Sequence, residues 1–215
     1  MNALIDWVVQ FFTTGAIIIV LAYASIPLFH ILQGRRLRMR LHRRLALGKL
    51  NPNGFEARME SGEIYLASRQ WIRAVADLSS ALEIVPDHAH CHSLLGQAQY
   101  HKGDYQEAVA HLEEALKIRP ELGYGHTHVL IGRAFEALED MEKAETWYRA
   151  ALERNSSISE PAYRLAFVLR KSGDLEGYRR ELGKAIERFS WLDRANRWSN
   201  LVYFLLAKLR NFTGT

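Results

Sequence analysis

The sequence predicts an all-α protein: one apolar anchor helix, a solenoid of about four helix pairs, and an apolar capping helix at the carboxy terminus. Three observations predict it. A run from Trp7 to Leu32 contains no Asp, Glu, Lys or Arg. Small and apolar residues then recur at a period of 34 through residues 55–192. No strand-length alternation of β-branched residues interrupts them.

The anchor comes first, over residues 1–33. About 25 residues at about 1.5 Å each span about 37 Å, enough to cross a hydrocarbon core with some tilt. Arg35, Arg36, Arg38, Arg40, Arg43 and Arg44 follow directly, against the single acid Asp6 before them. Arginines flanking an apolar run keep that flank on the cytoplasmic side. The predicted orientation is amino terminus outside and body in the cytoplasm, consistent with a bacterial inner membrane. The six arginines are assigned to anionic headgroups, with Leu37, Met39 and Leu41 dipping in. A cleaved signal peptide and a buried soluble helix are the competing readings. Against cleavage, the run continues past Ala22-Tyr23-Ala24, and positive charge follows it rather than precedes it.

Six arginines against Asp6 give residues 1–44 a formal charge of +5, and the rest of the chain, with 22 basic and 23 acidic residues, carries −1, for a net of +4. That near-balance excludes bulk electrostatic attraction to nucleic acid. Residues 34–54 form a basic juxtamembrane segment and linker, in which Arg43–Lys49 reads as a lone helix before Asn51-Pro52.

The repeats are read from residues in register. Ala74, Leu78, Ala81 and Pro86 match Ala108, Leu112, Ala115 and Pro120. Gly62, Gly96 and Gly132 share a place, as do Trp71 and Tyr105. Two extra residues around Gly123-Tyr124 precede the third copy, where Ala144, Tyr148 and Ala151 recur. The fourth keeps Leu165, Ala166, Leu182 and Ala185, but Tyr178 replaces the small residue at the helix crossing, so that pair is expected to splay. The frames are 55–88, 89–122, 125–158 and 159–192. Ser156 or Ser157 is the expected cap of the fourth copy's first helix.

This pattern resembles the tetratricopeptide repeat (TPR), whose motif places small residues where two helices touch and Pro at the unit boundary. Arg58, His92, His128 and Ala162 stand where the family often has Trp, and Ser61 where it has Leu. The resemblance implies a right-handed superhelical solenoid whose inner wall comes from the first helix of each pair. It assigns to that wall Glu63 in the first copy; His90, Gln97 and Tyr100 in the second; His126 and Arg133 in the third; and Tyr163, Phe167 and Arg170 in the fourth. Such a wall suits a peptide or helix of another protein.

Residues 193–215 follow, with Asp193 as expected N-cap. Trp198, Tyr203 and Phe204 belong to a helix apolar nearly all round and too short to span a bilayer. It reads as a solenoid cap, or as a cap whose other side binds a partner.

Chemistry is sparse. Cys91 is the only cysteine, so neither an internal disulfide nor a zinc CxxC pair can form. His88, His90, Cys91 and His92 could ligate a metal, but they straddle a repeat boundary, and no metal or other cofactor is assigned. No GxSxG, HExxH or Walker motif is present, and no catalytic residue is assigned. The expectation is a non-catalytic, membrane-anchored scaffold that assembles or stabilises an inner-membrane protein complex. A transient recruiting adaptor, similar in layout to bacterial inner-membrane TPR regulators, is the alternative, and a His-rich metal or redox sensor is the third reading.

Overall fold

The computed structural model describes residues 35–36, 38–43, 51–191, 201 and 203–208. Those residues contain helices and no strand. Within residues 51–191 eight helices follow in order: α1 Phe55–Ala67, α2 Trp71–Ile84, α3 Ala89–Lys102, α4 Tyr105–Ile118, α5 His126–Ala137, α6 Met141–Arg154, α7 Ser159–Lys171 and α8 Leu175–Trp191. Second helices begin at 71, 105, 141 and 175, so two steps are 34 and the middle one is 36. The longer step holds the Gly123-Tyr124 insertion. Two compact units divide the chain, Met1–Ala81 and Leu82–Thr215.

Glycine sets how closely the first three pairs can cross. A Cβ on Gly62 would stand 2.4 Å from Leu78 Cγ, and one on Gly96 would stand 2.6 Å from Leu112 Cγ. The fourth pair has Ala166 in that place, fully buried beside Leu182. Alanines at 74, 81, 108, 115, 144, 151 and 185 are also fully buried, which lets the backbones approach.

A second repeated contact links the two helices of the first three pairs at the place where the family often has Trp. Arg58 pairs with Asp77 at 3.2 Å, and Ser61 donates to the same carboxylate. One repeat on, His92 meets His111 with ring centroids 5.2 Å apart, and then His128 meets Trp147 at 5.6 Å. In the fourth pair the first residue is Ala162, and its counterpart Glu181 is 3% exposed, held by Lys184 at 2.8 Å. The position thus carries three chemistries matched on the facing helix, and an alanine in the fourth pair.

In the second unit, one core runs through three pairs, from Val109 and Leu112 through Ile131, Phe135 and Tyr148 to Leu165 and Leu169. A further cluster joins Ala162, Ala166, Tyr178, Leu182 and Ala185 to Ala207. The carboxy-terminal helical residues therefore cover the last pair. Leu205 and Leu206 lie on the exposed side.

Three expectations are corrected. Tyr178 does not splay its pair: it is buried between small residues, Ala162 and Ala166, and α7 and α8 pack as the other pairs do. Neither Ser156 nor Ser157 caps α7; Ile158 is the N-cap, because Asn155 Oδ1 takes the Ser157 N–H at 3.0 Å in a local turn. Leu41 is buried in the first unit and so unavailable to a bilayer, whereas Met39 is exposed. The predicted anchor over 1–33, Arg44 through Lys49, and Asp193 and Trp198 lie outside the described residues. Among the described residues no helix is long and apolar enough to cross a membrane.

Candidate functional site

The first helices of the second unit touch in sequence, α3 with α5 and α5 with α7. Between them lies an open cleft of about 560 Å³. Helix α3 supplies His90, Ser93, Gln97 and His101. Helix α5 supplies His126, Thr127, Val129, Leu130 and Arg133, and α7 supplies Glu160. The rim is Leu122, Gly123 and Tyr124 from the α4–α5 loop.

That loop has an unusual backbone. Gly123, Tyr124 and Gly125 all have positive φ, at 75°, 43° and 93°. The two glycines are needed for space as well: a Cβ on Gly123 would meet Thr127 Oγ1 at 2.7 Å, and one on Gly125 would meet the Ala151 carbonyl oxygen at 3.0 Å. The Thr127 hydroxyl locks the turn by donating to the Leu122 carbonyl at 3.0 Å. Tyr124 is the non-glycine member, and left-handed backbone costs such a residue about 1–2 kcal/mol. Its side chain is 73% exposed.

An ion-pair network stiffens the floor. Arg133 Nε donates to the Tyr100 hydroxyl at 3.2 Å, and its guanidinium lies 4.9 Å from that ring's centroid. Arg133 Nη1 is 3.7 Å from Glu160 Oε1. Arg164 Nε donates to the same oxygen at 2.7 Å, while its Nη1 reaches Glu136 Oε2 at 3.2 Å. The Tyr148 hydroxyl donates to that Glu136 oxygen at 2.7 Å. Burial, and then the Glu136 carboxylate, push the Tyr148 phenol well above its ordinary range. Burial opposes the charge of Arg164, but Tyr148, Glu160 and Glu136 together hold its guanidinium more firmly charged than usual. Three consecutive first helices are thus tied through their side chains.

Of the sequence-assigned wall residues, His90, Gln97, His126 and Arg133 line one cleft. Tyr100 supports it through Arg133. Tyr163 sits apart, against Tyr203 with centroids 5.9 Å apart. Burial and Glu160 raise the Tyr203 phenol, so this terminal residue reaches the edge of the network. Phe167 packs under Lys171, Arg170 lies over the Tyr178 ring, and Phe204 packs under Lys208. Glu63 is half-buried on α1 in the first unit. Arg35, Arg36, Arg40 and Arg43 are exposed and Arg38 is half-buried. Sequence reading passed over Arg164, although Glu160–Arg164 is an i,i+4 pair of the kind a helix favours. It also passed over Tyr124 as a lining residue.

The histidine segment disperses. The His88 ring caps α3 by accepting the Cys91 N–H at 3.1 Å, and Cys91 itself is fully buried. His92 turns to His111 and to the Pro86 carbonyl. Burial and then the neighbouring His90 charge lower the His88 imidazole. Among the described residues no group of three or more His, Cys, Asp or Glu converges to hold a metal.

Known proteins share this fold. Two family models described as tetratricopeptide repeat match residues 55–121 and 99–165. No curated protein sequence matches the chain. The crystal structure of MamA is similar at TM-score 0.65 and 17% identity, covering 72% of this chain and 93% of that one. MamA residues 41-end from Desulfovibrio magneticus RS-1 are similar at TM-score 0.64 and 18% identity, covering 75% and 97%. The APC/C hetero-tetramer Cut9–Hcn1 is similar at TM-score 0.58 and 15% identity, covering 72% of this chain and 30% of that one. At these identities the likeness shows a shared fold. The two matched segments together run from 55 to 165, and the chain belongs to the tetratricopeptide-repeat family.

Proposed function

We propose that the chain is a non-catalytic scaffold that holds another protein in the cleft between α3, α5 and α7. The observation that carries this is the cleft itself: about 560 Å³, open, with its floor fixed by the Arg133–Glu160–Arg164 network. Rigid polar walls reduce the ordering that binding would otherwise demand. The structurally similar Cut9 belongs to a hetero-tetramer with Hcn1, which supports a role in holding a partner.

We further propose that residues 1–33 anchor the scaffold in a membrane, amino terminus outside and repeats in the cytoplasm, where it assembles or stabilises an inner-membrane complex. The uncharged run Trp7–Leu32 followed by six arginines supports this reading. Arg35, Arg36, Arg40 and Arg43, exposed on helical backbone, are available to anionic headgroups. Purification of the full chain in mild detergent, with mass spectrometry, tests both parts. A stoichiometric partner retained by the natural chain and lost with Arg133→Glu supports the cleft. Deletion of residues 1–33 is expected to move the chain from membrane to soluble fraction. A clean monomer, or an unchanged membrane fraction after deletion, contradicts the respective part. Substoichiometric partners that dissociate on washing would favour the recruiting adaptor.

A further inference from the structure

The composition of the cleft lining specifies the kind of partner. Four of its side chains can carry positive charge: His90 and His101 on α3, and His126 and Arg133 on α5. One can carry negative charge, Glu160, and that carboxylate already accepts from Arg164 and lies beside Arg133. Glu136 and Arg164 behind it offset one another at 3.2 Å. His88 stands close enough to His90 to feel its charge. The balance of the cleft therefore depends on its imidazoles. With these neutral it is close to even; with them charged it is strongly positive. Imidazole is the side chain that ordinarily makes this change between about pH 5 and 8.

Tyr124 supplies the second element. Repeat stacking does not need the loop it sits on, because the other junctions step by 34 without it. Gly123 and Gly125 have packing reasons for their conformation, since a Cβ on either would clash. Tyr124 has none: it is 73% exposed at positive φ and spends its ring on the rim of the cleft. An exposed aromatic on a strained, locked loop beside a polar cleft is placed to meet a ligand rather than the core.

We propose that the cleft takes an acidic segment of a partner protein, that charging of His90, His101 and His126 strengthens its grip, and that Tyr124 packs an apolar side chain of that segment. This rests on the cleft being the partner site, and it names the partner's chemistry. Carboxylates on the segment meet the imidazoles and Arg133, while the tyrosine ring covers an adjacent aliphatic group. Complementary charge of this kind acts on encounter rate and specificity together.

The test uses the full chain in mild non-ionic detergent and three short fluorescent peptides built on one central Leu, flanked by Glu, by Gln or by Lys. The Glu peptide is expected to bind about tenfold tighter than the Gln peptide near pH 6, with the preference shrinking several-fold near pH 8 and at high salt. The Lys peptide is expected not to bind. The double variant His90→Gln/His126→Gln should flatten the pH dependence, with circular dichroism unchanged. Tyr124→Ala should weaken the Glu peptide several-fold, and replacing the central Leu by Gly should then add little. Equal binding of Glu and Gln peptides, preference for Lys, or a pH dependence that survives the double variant overturns the proposal. If no peptide binds but the co-purified partner is still lost with Arg133→Glu, the acidic class is wrong and the cleft reading stands. If the partner is also indifferent to Arg133→Glu, both fail.

Discussion

Nδ1 of His92 lies 3.0 Å from Nδ1 of His111, and Nε2 of His92 lies 2.8 Å from the Pro86 carbonyl oxygen. A carbonyl only accepts, so Nε2 of His92 bears hydrogen, its Nδ1 accepts, and His111 Nδ1 donates. With one hydrogen shared between the two Nδ1 atoms, charge on one ring is felt directly by the other. Burial, and then His92, accordingly lower the His111 imidazole. Burial and Arg154 lower His128, against a smaller opposing pull from Glu121.

Both folded values lie below the ordinary 6.5. Well above it, neither state binds the proton, and stability is unaffected. As pH falls through about 6.5, the unfolded chain takes protons that the fold resists, so stability drops with acidification. Thermal melts from about pH 8 to 5 should show the midpoint falling below about pH 6.5. His111→Gln should flatten that slope; a slope unchanged by the substitution would dissociate it from this pair.

Gly132 bears a direct steric load. A Cβ there would stand 2.7 Å from Tyr148 Cε1, a fully buried ring that occupies the place of Leu78 and Leu112. Gly132→Ala should therefore destabilise by about 1–3 kcal/mol through overpacking. Gly183, exposed in α8 with nothing within 4 Å of an added Cβ, provides the control. Gly183→Ala should stabilise by about 0.5–1 kcal/mol. Denaturant midpoints of the two variants should move in opposite directions, and movement in the same direction would show the crossing to be looser than described.

The Tyr148 hydroxyl enters the network through its bond to Glu136. Removing a donor to a partly buried carboxylate costs about 1.5–3 kcal/mol. Tyr148→Phe keeps the ring and should fall in that range, with partner retention reduced if the cleft floor depends on the network. A loss below about 0.5 kcal/mol would mean that Arg164 alone satisfies Glu136.

The repeat was legible because its determinants are local and recur. Gly62, Gly96 and Gly132 mark the crossings at fixed spacing, and the buried alanines follow in register. The wall was legible in part: His90, Gln97, His126 and Arg133 do share a cleft. What escaped the sequence depends on contacts across repeats. Glu136 meets Tyr148 and Arg164 from 12 and 28 residues away, which no helical periodicity reveals. The cap of α7 fell to Ile158 because Asn155 competed for Ser157, a choice between two local hydrogen bonds that composition does not decide. The match of residues 58, 92 and 128 to 77, 111 and 147 was likewise invisible until the facing helix was seen.

The account turns on the cleft being where a partner sits. A photocrosslinking residue placed at Gln97, on the cleft wall, and separately at Arg149, on the exposed face of α6, tests this in cells. The account predicts a discrete protein adduct from position 97 and none from position 149. Adducts from position 149 with none from position 97 would contradict it.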